Sequence, residues 1–278
     1  MASDSAGDSH PVPARPQVPG TPPPAEDEED SSAGRMSFLE HLDELRKRLV
    51  YAAYGILGGF VVAFAFIKFI FEFIMVPLQE VLPPGGRLVY TEPAEAFFLY
   101  MKMAALVGLL LAMPILVSQI WLFIAPGLYS HEKRFAIPFV AFTTIFFLGG
   151  ALFSHYAVFP LAWRFFAGFT TDYMEFLPRI APVFALYVKM MLAMGIVFQL
   201  PTLVFFLAKL GLVTPRFLAK NTKYAILMIF IIAAVLTPSA DPVTQTAMAA
   251  PMMVLYGISI GIAWLFQKKR PEDSEDDE

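Results

Sequence analysis

The sequence contains no cysteine, which excludes a disulfide framework, a thiolate metal site, an iron–sulfur cluster and any thiol chemistry. It is also poor in charge. Only 16% of its 278 residues are Asp, Glu, Lys or Arg, against roughly 25% in an ordinary soluble domain. Four histidines occur, His10, His41, His131 and His155, and no two of them have ligand spacing. The motifs HExxH, GxxxxGK[ST] and G-x-S-x-G are missing, and no paired carboxylates or Ser/His pair lie where an intramembrane protease would need them. No enzymatic activity, cofactor, nucleotide, nucleic acid or metal is therefore implied. What is plentiful is apolar surface: 57% of residues are hydrophobic and the mean hydropathy is +0.61. A 30.9 kDa water-soluble globule needs a polar coat that this composition does not supply. The chain reads as an all-α integral membrane protein.

The charges that exist are unevenly placed. Residues 1–35 hold seven acids and a proline-rich run, Pro22–Pro23–Pro24 followed by Glu26–Asp30, and residues 271–278 hold six more acids. Such segments cannot bury enough apolar surface to offset the entropy of ordering. Both are expected to be disordered acidic tails, 1–35 before and 268–278 after a membrane domain at 36–267. Setting aside those thirteen of 24 acids, with Arg15 and Arg35 of the 20 bases, leaves 18 bases against 11 acids. The overall charge of −4 thus conceals a basic body.

Within that body the apolar runs fall at about 49–70, 97–124, 135–158, 181–208, 224–236 and 243–266. A spanning helix needs about 20 residues. Five runs meet this; the fifth in order is short and is separated from the last only by the turn Thr237–Pro238–Ser239–Ala240–Asp241–Pro242. Six spans are expected, with local bilayer thinning at the short one, although 224–266 could instead be a re-entrant hairpin. Twelve Lys and Arg residues flank one set of helix ends, among them Arg46, Lys47, Arg48, Lys133, Arg134 and Lys268, against four (Lys68, Arg87, Arg164 and Arg179) at the other. The positive-inside rule then places both termini in the cytoplasm.

Two polar clusters lie on the basic side. Residues Ser37–Leu49 read as an amphipathic helix with Ser37 as N-cap and Leu42, Leu45 and Leu49 along one stripe, while Asp43 and Glu44 face elsewhere. The second cluster is Tyr129-Ser130-His131-Glu132-Lys133-Arg134. These acids could be ordinary interfacial salt-bridge partners, or two carboxylates converging on a cationic ligand, where bidentate guanidinium pairing confers specificity. Inside the spans Lys102, Lys189 and Gln199 are the polar outliers. Snorkelling explains the lysines, and a gate in a secondary transporter of a small solute is the alternative; the inverted repeats expected of such a transporter are not visible.

Several stretches together resemble the TatC family, the multi-span receptor subunit of the twin-arginine protein translocase. They are His41-Leu42-Asp43-Glu44-Leu45-Arg46-Lys47-Arg48, Pro114 with Gln119 to Tyr129, His131 to Arg134, Phe159-Pro160-Leu161-Ala162, Gly195 to Pro201, and Leu236 to Pro242 with Gln245. The resemblance covers about 36–266 and departs at Gln199, where many members carry a glutamate; a neutral amide cannot titrate. It implies a non-enzymatic receptor in the bacterial inner membrane that captures twin-arginine signal peptides on folded cargo, assembles with TatA and TatB or a single TatA-like protein, and forms a homo-oligomer in the complex. By the resemblance Glu44 and Glu132 engage the arginines, with Arg46, Lys47 and His131 beside them and Phe123 and Pro126 shaping the floor. Pro77 matches the external cap, Pro114, Gln119 and Gln199 are structural positions, and Thr237, Pro238, Asp241 and Gln245 lie where partner helices make contact.

Overall fold

The computed structural model describes residues 38–82, 86–124, 136–171, 173, 176–209, 211–237 and 241–266, with the side chains of Phe38, Leu39 and Ala136 excepted. The expected tails and the proposed N-cap Ser37 lie outside these residues. The chain divides into two compact units, Met1–Asp43 and Glu44–Glu278. Of the first, the described part is the opening of helix α1, and the packing described below belongs to the second.

The described residues are helical apart from connections and one isolated bridge between Val89 and Arg179. In order the elements are α1 (Phe38–Ala65), α2 (Ile67–Gln79), α3 (Glu95–Ile124), α4 (Ala136–Phe153), a π-helical turn (Ser154–Val158), α5 (Phe159–Ala167), α6 (Ile180–Val197), α7 (Leu200–Lys209), α8 (Pro215–Lys220), α9 (Thr222–Leu236) and α10 (Pro242–Phe266). Five stretches are long and apolar enough to cross a membrane: Glu40–Ala65, Glu95–Ile124, Ile137–Ala167, Ile180–Lys209 and Pro242–Phe266. Helix α9, at 15 residues, spans about 22 Å at 1.5 Å per residue, short of the ~30 Å hydrocarbon core.

Two of the expected runs are interrupted. The run read at 49–70 breaks at Phe66, after which α2 buries Ile74, Met75, Pro77 and Leu78. The run at 181–208 breaks between α6 and α7, where Pro201 cannot donate to the carbonyl four residues back. There the Gln199 N–H instead bonds the Ile196 carbonyl at 2.9 Å, a tighter three-residue turn.

The core lies around α6. Tyr187, Phe184, Met190 and Met194 are fully buried there, against Phe159 of α5 and Met248 and Met252 of α10. Unbranched methionines adapt to gaps between helices that cannot mould to one another. Close crossings depend on small residues, as is usual between helices in lipid. A Cβ on Gly59 of α1 would overlap the Gly108 carbonyl oxygen of α3, and one on Gly108 would stand 2.5 Å from the Phe60 nitrogen. On α4, a Cβ at Gly150 would stand 2.5 Å from the Met194 carbonyl oxygen.

One end of the helices is tied by a cap. The Trp163 indole N–H donates to the Leu78 carbonyl at 3.1 Å, joining α5 to α2. The Val89 N–H donates to the Pro178 carbonyl at 3.1 Å and the Ile180 N–H to the Val89 carbonyl at 2.9 Å, joining the segment before α3 to that before α6.

Candidate functional site

At the other end α1 carries Glu44. With 3.6 residues per turn, Glu44 and Arg48 share a face, Lys47 flanks that face three residues on, and Arg46 points away from it. The Arg48 Nε donates to Glu44 Oε1 at 2.7 Å, and the same two groups form an ion pair. Their side chains are 18% and 22% exposed, so the pair is half-buried yet within reach of a ligand. Glutamate preceding arginine by four is the favourable order on a helix, contributing only about 0.2–0.5 kcal/mol. Arg46 and Lys47 are exposed. The carboxylate thus already holds a guanidinium, in a pairing weak enough for a stronger partner to displace.

Phe123 is half-buried in the last turn of α3. Trp121, two residues earlier, is buried, its ring 4.7 Å from Phe139 of α4 and 6.1 Å from Phe206 of α7, and this aromatic cluster packs the end of α3 against α4 and α7. Pro126, His131 and Glu132 lie outside the described residues. Pro114 is exposed within α3, where its missing N–H cannot serve the Leu110 carbonyl. Gln119 donates weakly to Ser118 Oγ at 3.5 Å.

Gln199 sits at the α6–α7 break, its amide NH2 donating to the carbonyls of Thr143 at 3.1 Å and Gly195 at 3.3 Å. The oxygens Gln199 Oε1, Gln119 Oε1, Thr143 Oγ1, Thr144 Oγ1 and Thr202 Oγ1 are buried with no hydrogen-bond partner among the described residues. Lys189 Nζ donates to the Val235 carbonyl at 2.7 Å, so its charge satisfies the C-terminal end of α9, where cations are favoured. Two of the three residues of the transporter reading, Lys189 and Gln199, thereby hold helices together, and nothing in the geometry supports a gate.

The short turn after α9 has local work. The Thr237 hydroxyl donates to the Ala233 carbonyl at 3.0 Å, closing α9. Asp241 Oδ1 accepts the Thr244 N–H at 2.7 Å, an N-cap for α10 ahead of Pro242 at its first position. Gln245 Nε2 donates to the Phe230 carbonyl at 3.0 Å, tying α10 to α9. Pro238 lies outside the described residues. Pro77 is buried in α2, next to the carbonyl that receives Trp163.

Sequence reasoning passed over Glu95. Its Oε2 accepts the Thr91 N–H at 2.9 Å and the Glu92 N–H at 3.4 Å, and its Oε1 accepts the Ala181 N–H at 3.2 Å. The local half of this was visible, since Glu95 follows Glu92 at capping-box spacing; the bond to α6, 86 residues further on, was not. His155 was noted only for lacking a metal-ligand neighbour. It is buried in the π-helical turn, with Nδ1 2.9 Å from the Tyr187 hydroxyl and its ring stacked 4.3 Å from Phe73.

Long apolar helices crossing through glycines, with polar side chains satisfied helix to helix, define a polytopic all-α membrane protein. The family model described as Sec-independent protein translocase protein (TatC) matches residues 40–251. A TatC of Desulforapulum autotrophicum is 44% identical over 239 residues, covering 86% of this chain and 88% of the relative. That of Koribacter versatilis is 42% identical over 237 residues, covering 84% and 87%. A crystal structure titled as the twin arginine translocase receptor TatC is 38% identical, covers 82% of this chain and 99% of its own, and superposes with a TM-score of 0.70. The chain belongs to the TatC family. It is a component of the Tat protein-translocation machinery, a membrane protein and not an enzyme.

Proposed function

We propose that this chain is the receptor of a twin-arginine translocase in the bacterial inner membrane, with six spans and both termini in the cytoplasm. It binds twin-arginine signal peptides of folded cargo at Glu44 and Glu132 and nucleates assembly with TatA and TatB and with further copies of itself. Arg46, Lys47 and His131 set the field around the acids, and Phe123 and Pro126 form the floor. Thr237, Pro238, Asp241 and Gln245 are the positions for partner helices. The observation that carries the reading is the Glu44–Arg48 pair, a half-buried carboxylate already engaged by an exchangeable guanidinium. A solved relative titled as the twin arginine translocase receptor supports it.

The sixth span rests on α9. Its last carbonyls accept from Lys189 and Thr237, so the helix can end in an apolar medium without stranding polar groups. A thinned bilayer then accommodates its length. Charge-assisted hydrogen bonds contribute roughly 1.5–3 kcal/mol each, and 1.4 kcal/mol is about tenfold in affinity. Crosslinking of a twin-arginine peptide should therefore fall about 10- to 100-fold in Glu44→Ala and in Glu132→Ala, with membrane insertion intact. A twin-lysine peptide should bind more weakly than the arginine one, because ammonium lacks the planar fork. Equal crosslinking by wild type and both variants would return these acids to the role of interfacial salt-bridge partners.

A further inference from the structure

Between α3 and α6 lies a cavity of about 790 Å³, within the range of 300–1,000 Å³ usual for small-molecule sites. Its wall is apolar, with Leu106 and Leu109 on α3 facing Val188 and Leu192 on α6, and its polar residues are Glu92, Glu95, Lys102 and Arg179. Glu95 has both oxygens occupied by backbone N–H groups. Besides Glu95, the lining offers Lys102, Glu92 and Arg179, whose guanidinium is loosely paired with Glu95 at 3.9 Å.

Lys102 is the unusual member. It is exposed, seven residues into α3, about 10 Å along the axis at 1.5 Å per residue, and has no hydrogen bond or ion pair among the described residues. Helical side chains lean toward the N-terminus, so its ammonium is directed to the rim, where Arg179 is 49% exposed and only 3.9 Å from Glu95. At that rim a counter-charge would stabilise a cation that has no partner among the described residues. A free anion would supply the charge and leave the wall empty, whereas an apolar peptide segment would cover the wall and leave the charge.

We propose that the cavity is a phospholipid site. The phosphate is held between Lys102 and Arg179, and one acyl chain lies along Leu106, Leu109, Val188 and Leu192, in the leaflet at the capped end of the bundle. The lipid fills the cleft between α3 and α6 and neutralises Lys102. The site is independent of the arginine-binding acids.

The full chain, purified and delipidated in dodecyl maltoside, would be titrated with phosphatidylglycerol and followed by native mass spectrometry. One tightly held lipid per chain is expected. Diacylglycerol, which lacks the phosphate, and inorganic phosphate, which lacks the chains, should not displace it at equal concentration. Lys102→Met should weaken binding at least tenfold, and Lys102→Arg should retain it. Ala185→Trp, which fills the cavity from an exposed position on α6 without altering charge, should weaken it equally and carries the test if Lys102→Met does not fold. Glu44→Ala should bind lipid as wild type does, which separates this site from the receptor reading. Undiminished binding in Ala185→Trp, effective competition by diacylglycerol or by phosphate alone, or displacement by the apolar segment of a signal peptide would each overturn the proposal.

Discussion

The two ends of the helices are built on different principles. At the capped end, hydrogen bonds run between elements: the Trp163 side chain to Leu78, the Glu95 carboxylate to the starts of both α3 and α6, and the Val89 backbone to Pro178 and Ile180. At the end where α1 begins, Glu44 is engaged by Arg48, on its own helix and one turn away, and the apolar residues of α1 from Leu49 to Phe64 are largely exposed among the described residues. A bond between elements fixes their geometry, while a bond within one helix leaves its surface available. The contrast assigns rigidity to the cap and adaptability to the end that carries the proposed arginine site.

That division can be broken by substitution, and the largest effect should come where backbones touch. Gly108→Leu places a side chain against the Phe60 backbone, and because backbone cannot yield as a side chain does, the cost should reach about 3 kcal/mol, the upper part of the overpacking range. Thermal unfolding in detergent reads it, and loss of the α1–α3 contact should follow by crosslinking. Next in size, Glu95→Gln replaces an acceptor-only group serving three N–H donors by an amide with one oxygen. It should lower the unfolding temperature and increase hydrogen exchange at Thr91, Glu92 and Ala181 together, since one side chain holds all three. Trp163→Phe removes a single hydrogen bond to Leu78 and should cost about 1 kcal/mol. Smallest is Gly58→Leu, one residue from the crossing, where a Cβ meets nothing within 4 Å. It should be neutral or slightly stabilising through helix propensity, and an effect as large as that of Gly108→Leu would mean that the crossing does not control stability.

What could be read in advance follows how local each cause is. Hydropathy is a property of consecutive residues, so the long runs and the shortness of α9 were visible, as was the turn with Asp241 before Pro242. The break between α6 and α7 went unread in the run 181–208, although Pro201 stands beside it. The break at Phe66 had no proline or glycine to announce it, and it accompanies the packing of α2 against the core through Ile74 and Leu78. Lys189 was read as snorkelling, but its ammonium ends at a carbonyl 46 residues away, a distance no window spans. Glu44 was found through a motif whose neighbours are adjacent in sequence, whereas Glu95 depends on Ala181. Gln199 was seen as a departure from its family; its NH2 group donates to two helix carbonyls, which a carboxylate could not do. Gln199→Glu should accordingly be carried as the protonated acid.

The most direct test is twin-arginine peptide affinity measured side by side for folded wild type, Glu44→Ala and Glu95→Gln. Glu44→Ala should lose about 10- to 100-fold while melting as wild type does, and Glu95→Gln should melt earlier yet bind the peptide within about threefold of wild type, well short of the tenfold that 1.4 kcal/mol represents. Full affinity in Glu44→Ala together with a tenfold loss in Glu95→Gln would place peptide recognition at the capped end and contradict the division of labour between the two ends.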